Sequence, residues 1–375
     1  MRILFLCKRR YMSKDVIADR YARMYELPHQ LARRGHTVLG CCLSYQRASE
    51  GSWPHDAASG SLEWRSWNLG RTVAPGLIRF SLLATAQART FRPDLVIGAS
   101  DIPHCVFAHH LANKLKIPYA LDLYDNFESF GQARIPGAVA GLRWAARGAS
   151  FISCVSEPLA EHVRENYGVL SPVLTLESTV DKAAFRLRDR AACRAQLGLP
   201  ASAKLIGTAG SLSAEKGIKA LYQAFELLAK RDPNLHLVVA GSVEPATPPP
   251  QGPRVHLLGQ LPHADVAILF SALDVAVICI RDTPFGRFCF PQKAYEMLAC
   301  GTPLVAADIG AMKTLLRPFP ASLYQAENAE DLATRVAEQL AKPMVATVLI
   351  KGWDELAADL ERSLMEAVTA WKRRH

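Results

Sequence analysis

The chain has 375 residues, of which 50% are hydrophobic and 21% are charged, a composition that excludes a disordered protein and suffices for two domains. The formal net charge of +9 is compatible with nucleic acid, an anionic membrane face or a phosphorylated ligand as partner. However, no Lys/Arg run is long enough for a nucleic-acid-binding arm, and no apolar run approaches the roughly 18 residues of a membrane span. We therefore expect no nucleic-acid partner.

Cysteine usage and the first residues both indicate a cytoplasmic protein. The nine cysteines are odd in number and contain no Cys-x-x-Cys pair, and most of them lie in apolar runs, as expected for reduced, buried thiols. Residues 2–7 are apolar, but the basic residues Lys8, Arg9 and Arg10 come after this run, which is the wrong order for a signal peptide.

The chain opens with a pattern that predicts an α/β fold. Residues 2–7 and 37–43 predict buried strands, and residues 20–34 show helical periodicity, which together favour a parallel sheet. Ligands of such sheets bind at the carboxyl ends of the strands, where Arg9 and Arg10 lie. This loop either binds a phosphate or an acceptor, or is a solvated basic loop. Further predictions are a possible short edge strand within 50–74, helices at 77–90 and 103–115, strands at 94–98, 119–123 and 151–156, and a helix ending near residue 167.

Polar residues cluster where the strand at 119–123 ends. Asp122, Tyr124, Asp125 and Glu128 are expected to form a site, in which Asp125 and Glu128 accept a hydrogen bond or a proton from an acceptor hydroxyl. The alternative is that Asp125 or Asn126 caps the following segment.

The second half repeats the α/β pattern. After a strand at 204–208, the sequence Gly-Ser-Leu-Ser-Ala-Glu-Lys-Gly at 210–217 opens a helix that runs to about residue 231. Glycine permits close approach of a ligand, the helix-start amides are predicted to face a phosphate, and Lys216 adds a charge. The remaining predictions are strands at 235–241, 255–258, 274–280 and 304–307, a surface loop at 245–253, and helices at 331–340 and 352–372.

Residues 285–310 carry the most informative pattern. Pro291 is predicted at the first helical position, and Gly301 lies just past the helix end. No capping residue precedes Pro291, so we expect first-turn amides without a side-chain cap, near Lys293. A phosphate near Lys293 and a ribose diol near Glu296 would satisfy both side chains. The alternative is an ordinary Lys–Glu surface pair on an amphipathic helix.

The letters around Glu296 resemble the donor-site signature of family 4 glycosyltransferases. Phe-Gly at 285–286 is followed by Glu-Met-Leu-Ala-Cys-Gly-Thr-Pro-Leu-Val-Ala at 296–306. The resemblance implies the α/β GT-B fold, with two Rossmann-like, doubly wound domains that face a cleft. The expected domains are residues 1–182 for the acceptor and 183–345 for the nucleotide sugar, with a terminal helix at 346–375 that packs back on the first domain.

In that family the Glu at the place of Glu296 holds the nucleotide ribose, a Lys at the place of Lys216 binds the diphosphate, and backbone groups near Gly259 bind the base. Phe288 and Ser211 stand where the family usually carries a first Glu and an Arg, so Lys293 or Arg287 is a candidate to replace that Arg. The expected donor site is Gly210, Ser211, Lys216, Gly259, Leu261, Arg287, Pro291, Lys293 and Glu296. The expected catalytic residues are Lys216, Lys293, Glu296 and Asp125, and the expected acceptor side is Arg9, Arg10, Tyr124, Asp125 and Glu128.

The resemblance implies a retaining transferase that moves a sugar from a nucleoside diphosphate sugar to a glycan or lipid-linked acceptor, as in polysaccharide or lipopolysaccharide assembly. No Asp-x-Asp motif and no His/Cys cluster indicates a metal, and no cofactor beyond the co-substrate is expected. The alternatives are a sugar-nucleotide epimerase or hydrolase on the same fold, and a non-catalytic nucleotide-sugar-binding relative. Basic residues of the first domain also predict peripheral docking on the anionic inner face of a membrane; they are Lys8, Arg9, Arg10, Arg20, Arg23, Arg33, Arg34, Arg71 and Arg79.

Overall fold

A computed structural model describes residues 1–374 and divides the chain into two compact units. The first unit consists of Met1–Ser178 and the terminal segment that begins at Trp353, and the second is Thr179–Gly352. The borders expected from the sequence, at 182/183 and 345/346, differ from these by four and seven residues.

An eight-stranded sheet forms the centre of the first unit. The strands of the first unit are β1 (Arg2–Lys8), β2 (Arg10–Tyr11), β3 (Lys14–Asp15), β4 (Thr37–Ser44), β5 (Gly51–His55), β6 (Ser61–Asn68), β7 (Leu95–Ala99), β8 (Tyr119–Leu123), β9 (Phe151–Cys154) and β10 (Val173–Thr175). The order in the eight-stranded sheet is β10-β9-β8-β7-β1-β4-β6-β5, and all neighbours are parallel except the antiparallel edge pair β5 and β6. Strands β2 and β3 form a separate two-stranded sheet.

Of the five helices within Met1–Ser178, four were predicted from the periodicity of apolar residues. The five helices are α1 (Ala22–Arg33), α2 (Val73–Phe91), α3 (Ile102–Leu115), α4 (Ala138–Gly148) and α5 (Glu157–Asn166). Asp101 accepts a hydrogen bond from the His104 amide and thereby caps α3. The sequence patterns missed α4.

Two segments differ from the sequence expectation. The stretch at 50–74 contains two strands, β5 and β6, because the alternating residues Leu62, Trp64 and Ser66 are buried while their neighbours are not. The basic loop at 8–15 is a small hairpin of β2 and β3, in which Arg10 pairs with Asp15.

The second unit has the strands β11 (Lys204–Ala209), β12 (Leu235–Ala240), β13 (Val255–Leu257), β14 (Val275–Ile278), β15 (Leu304–Ala307) and β16 (Leu323–Tyr324). They form a parallel sheet of order β13-β12-β11-β14-β15-β16. Its helices are α6 (Arg190–Gln196), α7 (Ile218–Ala229), α8 (His263–Ala272), α9 (Pro284–Phe288), α10 (Lys293–Ala299), α11 (Gly310–Leu316) and α12 (Ala329–Ala341). The central strands are fully buried, as expected for a parallel sheet with both faces covered.

The terminal helix α13 (Trp353–Arg374) packs on α1 in the first unit. Leu356, Leu360 and Leu364 recur at helical spacing and are buried in the core that α1 shares with the sheet. Across residues 1–374, no helix has both the length and the apolar character that crossing a membrane requires.

Candidate functional site

The carboxyl ends of β11, β12 and β13 meet at two glycines that allow close backbone approach. The Gly210 amide donates to the Ala240 carbonyl at 2.8 Å, and the Gly241 amide donates to the Gly259 carbonyl at 2.7 Å. Both Gly210 and Gly241 have a φ of +128°, and a side chain at position 241 would overlap the Gly210 carbonyl. Three strand ends thus form a compact floor at the edge where parallel sheets bind ligands.

Lys293 lies against this floor. Any side chain at position 210 would overlap the Lys293 ammonium group, so the glycine leaves the room that this cation occupies. Burial lowers the pKa of Lys293, Glu296 opposes that shift, and the positive charge of Lys216 lowers the pKa further. A bound anion would offset both the burial of the Lys293 charge and its repulsion by Lys216.

Lys216 approaches the same region from a short turn after β11. Residues Ala214–Lys216 form a 3-10 turn capped by Ser213, and Gly217 with a φ of +79° leads into α7. The Lys216 ammonium lies 3.7 Å from the centre of the Phe285 ring, within range of a cation–π interaction. Phe285 in α9 therefore orients this side chain.

The predicted role of the helix-start amides is wrong for most of them. In the turn before α7, the amides of Ala214, Lys216 and Ile218 donate to the Glu244 side chain and to the Ser213 carbonyl. Because these amides already donate hydrogen bonds within the protein, the negative charge of a phosphate bound here would be neutralised mainly by the lysine side chains.

At the start of α10 the expected absence of a side-chain cap is confirmed, whereas the position of Pro291 differs from the prediction. Pro291 precedes the helix, which begins at Lys293 with Gln292 as a cap residue that forms no side-chain cap bond. The amides of Ala294, Tyr295 and Glu296 nevertheless donate to the carbonyls of Pro291 and Gln292.

Glu296 is the buried acid of the site, with 3% of its surface exposed. Its carboxylate accepts a hydrogen bond from Gln292 Nε2 at 3.1 Å and lies 3.4 Å from His263 Nε2. His263 opens α8, directly after the loop that contains Gly259 and Leu261. The fold thus brings the expected base-binding loop next to the expected ribose-binding acid.

Sequence reasoning missed Gln292 and His263 as members of this site. Gln292 stands one helical turn before Glu296, so the i, i+4 spacing could have found it. His263 is 33 residues away in sequence, and no local signal connects it to Glu296.

The remaining predicted donor residues lie at the edge of this group. Ser211 is exposed, and its hydroxyl lies 3.5 Å from that of Ser213. Arg287 is exposed and forms an ion pair with Asp282 at 2.5 Å. The structure therefore places Lys293, and not Arg287, against the strand ends, although both were candidates to replace the missing Arg. Phe288 ends α9.

The corresponding edge of the first unit holds a buried ion pair. Arg23 is fully buried and its guanidinium forms hydrogen bonds with the Asp122 carboxylate, the shortest at 2.5 Å, and with the Leu176 carbonyl. Ser153 donates a further hydrogen bond to Asp122 at 2.6 Å. Arg23 therefore contributes nothing to a basic surface, which corrects that part of the membrane prediction, and Asp122 is a structural residue.

Arg9 and Arg10 differ in exposure. The Arg9 guanidinium is buried and donates to Asp15, to Ser66 and to the Ser49 carbonyl, so it holds the β2–β3 hairpin and is not a free acceptor-side cation. Arg10 is exposed and donates to Gln46. The solvated-loop alternative thus holds for Arg10 but not for Arg9.

Tyr124 and Asp125 lie directly after the end of β8, whereas Glu128 forms an ion pair elsewhere in the first unit. Lys8 Nζ donates to the Tyr124 hydroxyl at 2.8 Å. Asn126 caps the turn at Phe127–Ser129, which decides between the two capping candidates. Glu128 forms an ion pair with Arg143, and although burial opposes the shift, that pair lowers the pKa of Glu128. A carboxylate held in this way is a poor proton acceptor.

Comparisons with known proteins agree with these two units. The family model for the glycosyl transferase 4-like domain matches residues 22–176, and the model for glycosyl transferases group 1 matches residues 189–353. Together the two models cover most of both units.

Curated relatives show moderate identity. The chain is 26% identical over 295 residues to a Bacillus subtilis protein that carries the name of a teichuronic acid biosynthesis glycosyltransferase, TuaC; the match spans 77% of this chain and 72% of that protein. It is 31% identical over 202 residues to the D-inositol 3-phosphate glycosyltransferase of Saccharomonospora viridis, spanning 49% and 46% of the two chains. The chain thus spans less than half the length of that second relative.

Solved structures share the whole fold at low identity. The sucrose-phosphate synthase of Thermosynechococcus elongatus has a TM-score of 0.74 and 18% identity, with 99% of this chain and 98% of that chain covered. Anabaena HepE in complex with UDP has a TM-score of 0.67 and 17% identity, with 100% and 98% covered. The fold is therefore GT-B, and the protein is a glycosyltransferase.

Within that class, the two matched family models define the assignment. The chain belongs to the family 4-type glycosyltransferases, as the signature around Glu296 indicated.

Proposed function

We propose that this protein transfers a sugar, with retention of anomeric configuration, from a nucleoside diphosphate sugar to a glycan or lipid-linked acceptor. The observation that carries the proposal is the pair of cations at the strand ends of the second unit. Lys293 lies against Gly210, and its pKa is lowered in part by the charge of Lys216. The two cations are near enough to interact electrostatically, and among residues 1–374 no carboxylate forms an ion pair with either ammonium group, an arrangement that favours binding of a diphosphate.

These cations also fit the chemistry of the leaving group. As the bond between the sugar and the diphosphate breaks, negative charge grows on the phosphate oxygen, and fixed positive charges stabilise it. The acceptor oxygen forms the new bond to the same sugar carbon, and its proton passes to the leaving phosphate. Asp125 stays a candidate to orient the acceptor hydroxyl.

Glu296 supports recognition of the nucleoside. Its buried carboxylate, held by Gln292 near His263, can accept hydrogen bonds from two adjacent ribose hydroxyls. The Gly259–Leu261 loop would then present backbone groups to the base. Anabaena HepE, described in complexes with UDP and with UDP-glucose, shares the fold and supports a nucleotide sugar as the donor.

The relative named for teichuronic acid biosynthesis supports a role in polysaccharide assembly. We extend the proposal to peripheral docking on an anionic membrane, now through the exposed residues Arg10, Arg20, Arg33 and Arg71. Each basic residue near the bilayer contributes about 1 kcal/mol. Co-sedimentation with anionic but not neutral vesicles, weakened by salt, is the expected result. Equal, negligible binding to both vesicles at low salt would remove docking and leave the transferase proposal intact.

A thermal-shift screen over uridine, guanosine and adenosine diphosphate sugars tests the donor. One nucleotide series should raise the melting temperature through linkage, and its sugar should be transferred when acceptor is present. Stabilisation by none of them would contradict nucleotide-sugar dependence. Release of free or epimerised sugar without acceptor would instead support an epimerase or hydrolase, and binding without any turnover would support a non-catalytic relative.

A further inference from the structure

A polar cleft of about 200 Å³ lies in the first unit between the amino ends of β1, β4 and β6 and the last turns of α2. The side chains that line it include Arg2, Leu39, Ser61, Glu63, Arg65, Gln87 and Phe91. Parallel sheets bind their substrates at the carboxyl ends of the strands, which form the opposite edge of this sheet. The volume lies below the roughly 300–1,000 Å³ of pockets for drug-sized ligands, so the cleft suits a small metabolite.

The sequence of β6 explains why the wall of this cleft is polar. Leu62 and Trp64 are buried in the core that also contains α1, whereas Glu63 and Arg65 alternate with them and lie on the face below α2. The buried residues in the last two turns of α2 are alanines, whose small side chains leave space above these two residues. A sheet face that a helix covers is normally apolar, so an ionic wall at this place indicates a role other than packing.

The charges in the wall of the cleft do not cancel. Arg65 Nε and the Ser52 hydroxyl each donate a hydrogen bond to Glu63 Oε1 at 2.7 Å. Burial opposes ionisation of Glu63, but these hydrogen bonds lower its pKa, so Glu63 neutralises Arg65. The guanidinium of Arg2 lies 4.8 Å from the centre of the Phe91 ring and forms no ion pair with a carboxylate of residues 1–374. The wall therefore carries one uncompensated positive charge, that of Arg2.

The polar groups that remain for a ligand are hydrogen-bond donors. Arg65 donates to the side-chain oxygen of Gln87, so the amino group is the part of that amide left for a ligand. Arg2 adds its guanidinium N–H groups, since the carboxylate of Asp94 accepts from the Arg2 backbone amide at 2.7 Å instead. Ser61 adds a hydroxyl. Donors beside an uncompensated positive charge complement a carboxylate or a phosphate group, which a guanidinium binds through two hydrogen bonds.

We propose that this cleft is a binding site for a small organic anion, a carboxylate or a phosphate ester of about the size of one sugar unit. Arg2 binds the anionic group, and Gln87 and Ser61 bind neighbouring oxygen atoms. The site is independent of the proposed transferase activity, because it lies at the edge of the sheet away from the strand ends that bind substrates. Its ligand connects the end of α2 with three strands, and it therefore acts as an effector and not as a substrate.

Calorimetric titration with glucuronate and with glucose 6-phosphate tests the site, and glucose serves as the neutral analogue. The titrations use the wild type and the double variant Lys216→Ala/Lys293→Ala, which lacks the two cations of the second unit. At least one of the two anions should bind both proteins with equal affinity, and glucose should bind at least tenfold more weakly than that anion. Binding of neither anion would overturn the proposal. Binding to the wild type alone would also overturn it, because the anion would then belong to the two lysines.

Two variants and a control locate the bound anion. Arg2→Gln removes the guanidinium, and Gln87→Glu retains an oxygen for Arg65 but replaces the amino group by a negatively charged oxygen. Each change should weaken anion binding at least tenfold, whereas Arg89→Gln, at an exposed position in the last turn of α2, should leave it unchanged.

Equal affinities of the three variants would overturn the assignment of the anion to this cleft. Melting temperatures without ligand show whether each variant is folded. Because Glu at position 87 still accepts from Arg65, we expect Gln87→Glu to keep the wild-type melting temperature, and wild-type anion affinity in that folded variant would by itself refute the proposal.

Discussion

The two units have the same kind of sheet edge and use it differently. At the carboxyl edge in the second unit, Lys216 and Lys293 interact electrostatically, and neither ammonium group forms an ion pair with a carboxylate of the described residues 1–374. At the corresponding edge in the first unit, Arg23 forms an ion pair with Asp122 at 2.5 Å. The two lysines of the second unit can therefore pair with an anionic ligand, whereas the charge of Arg23 is already neutralised by Asp122. A basic residue near a strand end is therefore a candidate for binding an anion only if it forms no ion pair with a carboxylate of the folded protein.

The largest expected effect concerns the locked pair. Arg23→Met leaves the buried Asp122 without its cation and should reduce the free energy of unfolding by about 3–5 kcal/mol. Arg164→Met removes one partner of an exposed pair with Glu157 and should cost only about 0–1 kcal/mol. Denaturant unfolding of both variants gives the comparison, and similar losses would show that burial of the Arg23–Asp122 pair has no special weight.

The next largest effect concerns the donor residues. Lys216→Ala and Glu296→Gln should each lower turnover at least tenfold, because one hydrogen bond to a charged group contributes roughly 1.5–3 kcal/mol. Lys219→Ala and Glu226→Gln, at exposed positions of α7, serve as matched controls and should keep wild-type rates. Steady-state kinetics on folded variants decides the matter. Wild-type turnover in either donor-site variant would remove that residue from the site.

The fold and the position of the donor site were largely predictable from the sequence. The burial and the ion-pair partners of individual charged residues were not. The runs of apolar residues placed the central strands of both sheets to within two residues, since burial on both faces leaves a strong pattern, but the short strands β2, β3, β10 and β16 were missed. Glu296 and Lys293 followed from a local motif. The burial of Arg23 and the contact of His263 with Glu296 arise from residues far apart in sequence, so only the tertiary structure reveals them.

A smaller effect should appear in the pH dependence of nucleotide binding. The pKa of Lys293 is lowered by burial and by Lys216, and a bound diphosphate should raise it, so binding takes up a proton. Affinity should be constant below the pKa of the free protein and should fall as the pH rises through it towards 10.5, the ordinary value. Calorimetry should find that Lys293→Met lacks this decline. An unchanged decline in that variant would assign the titration to another group.

The smallest expected effect is that of metal removal. We predict that turnover is unchanged without added divalent metal, because the two lysines supply the positive charge that a metal would otherwise provide. Assays with a chelator, with and without magnesium or manganese, measure this. Complete loss of activity in the chelator, restored by either metal, would show that the lysines do not suffice.

The most direct test of the central claim compares two nucleotides on two proteins. Calorimetry with the nucleoside diphosphate selected by the donor screen, and with its monophosphate, should be performed on the wild type and on the double variant Lys216→Ala/Lys293→Ala. If the two lysines at the strand ends hold the diphosphate, the variant should lose at least a hundredfold in affinity for the diphosphate and much less for the monophosphate. Unchanged diphosphate affinity, or equal losses for both nucleotides, would contradict the account.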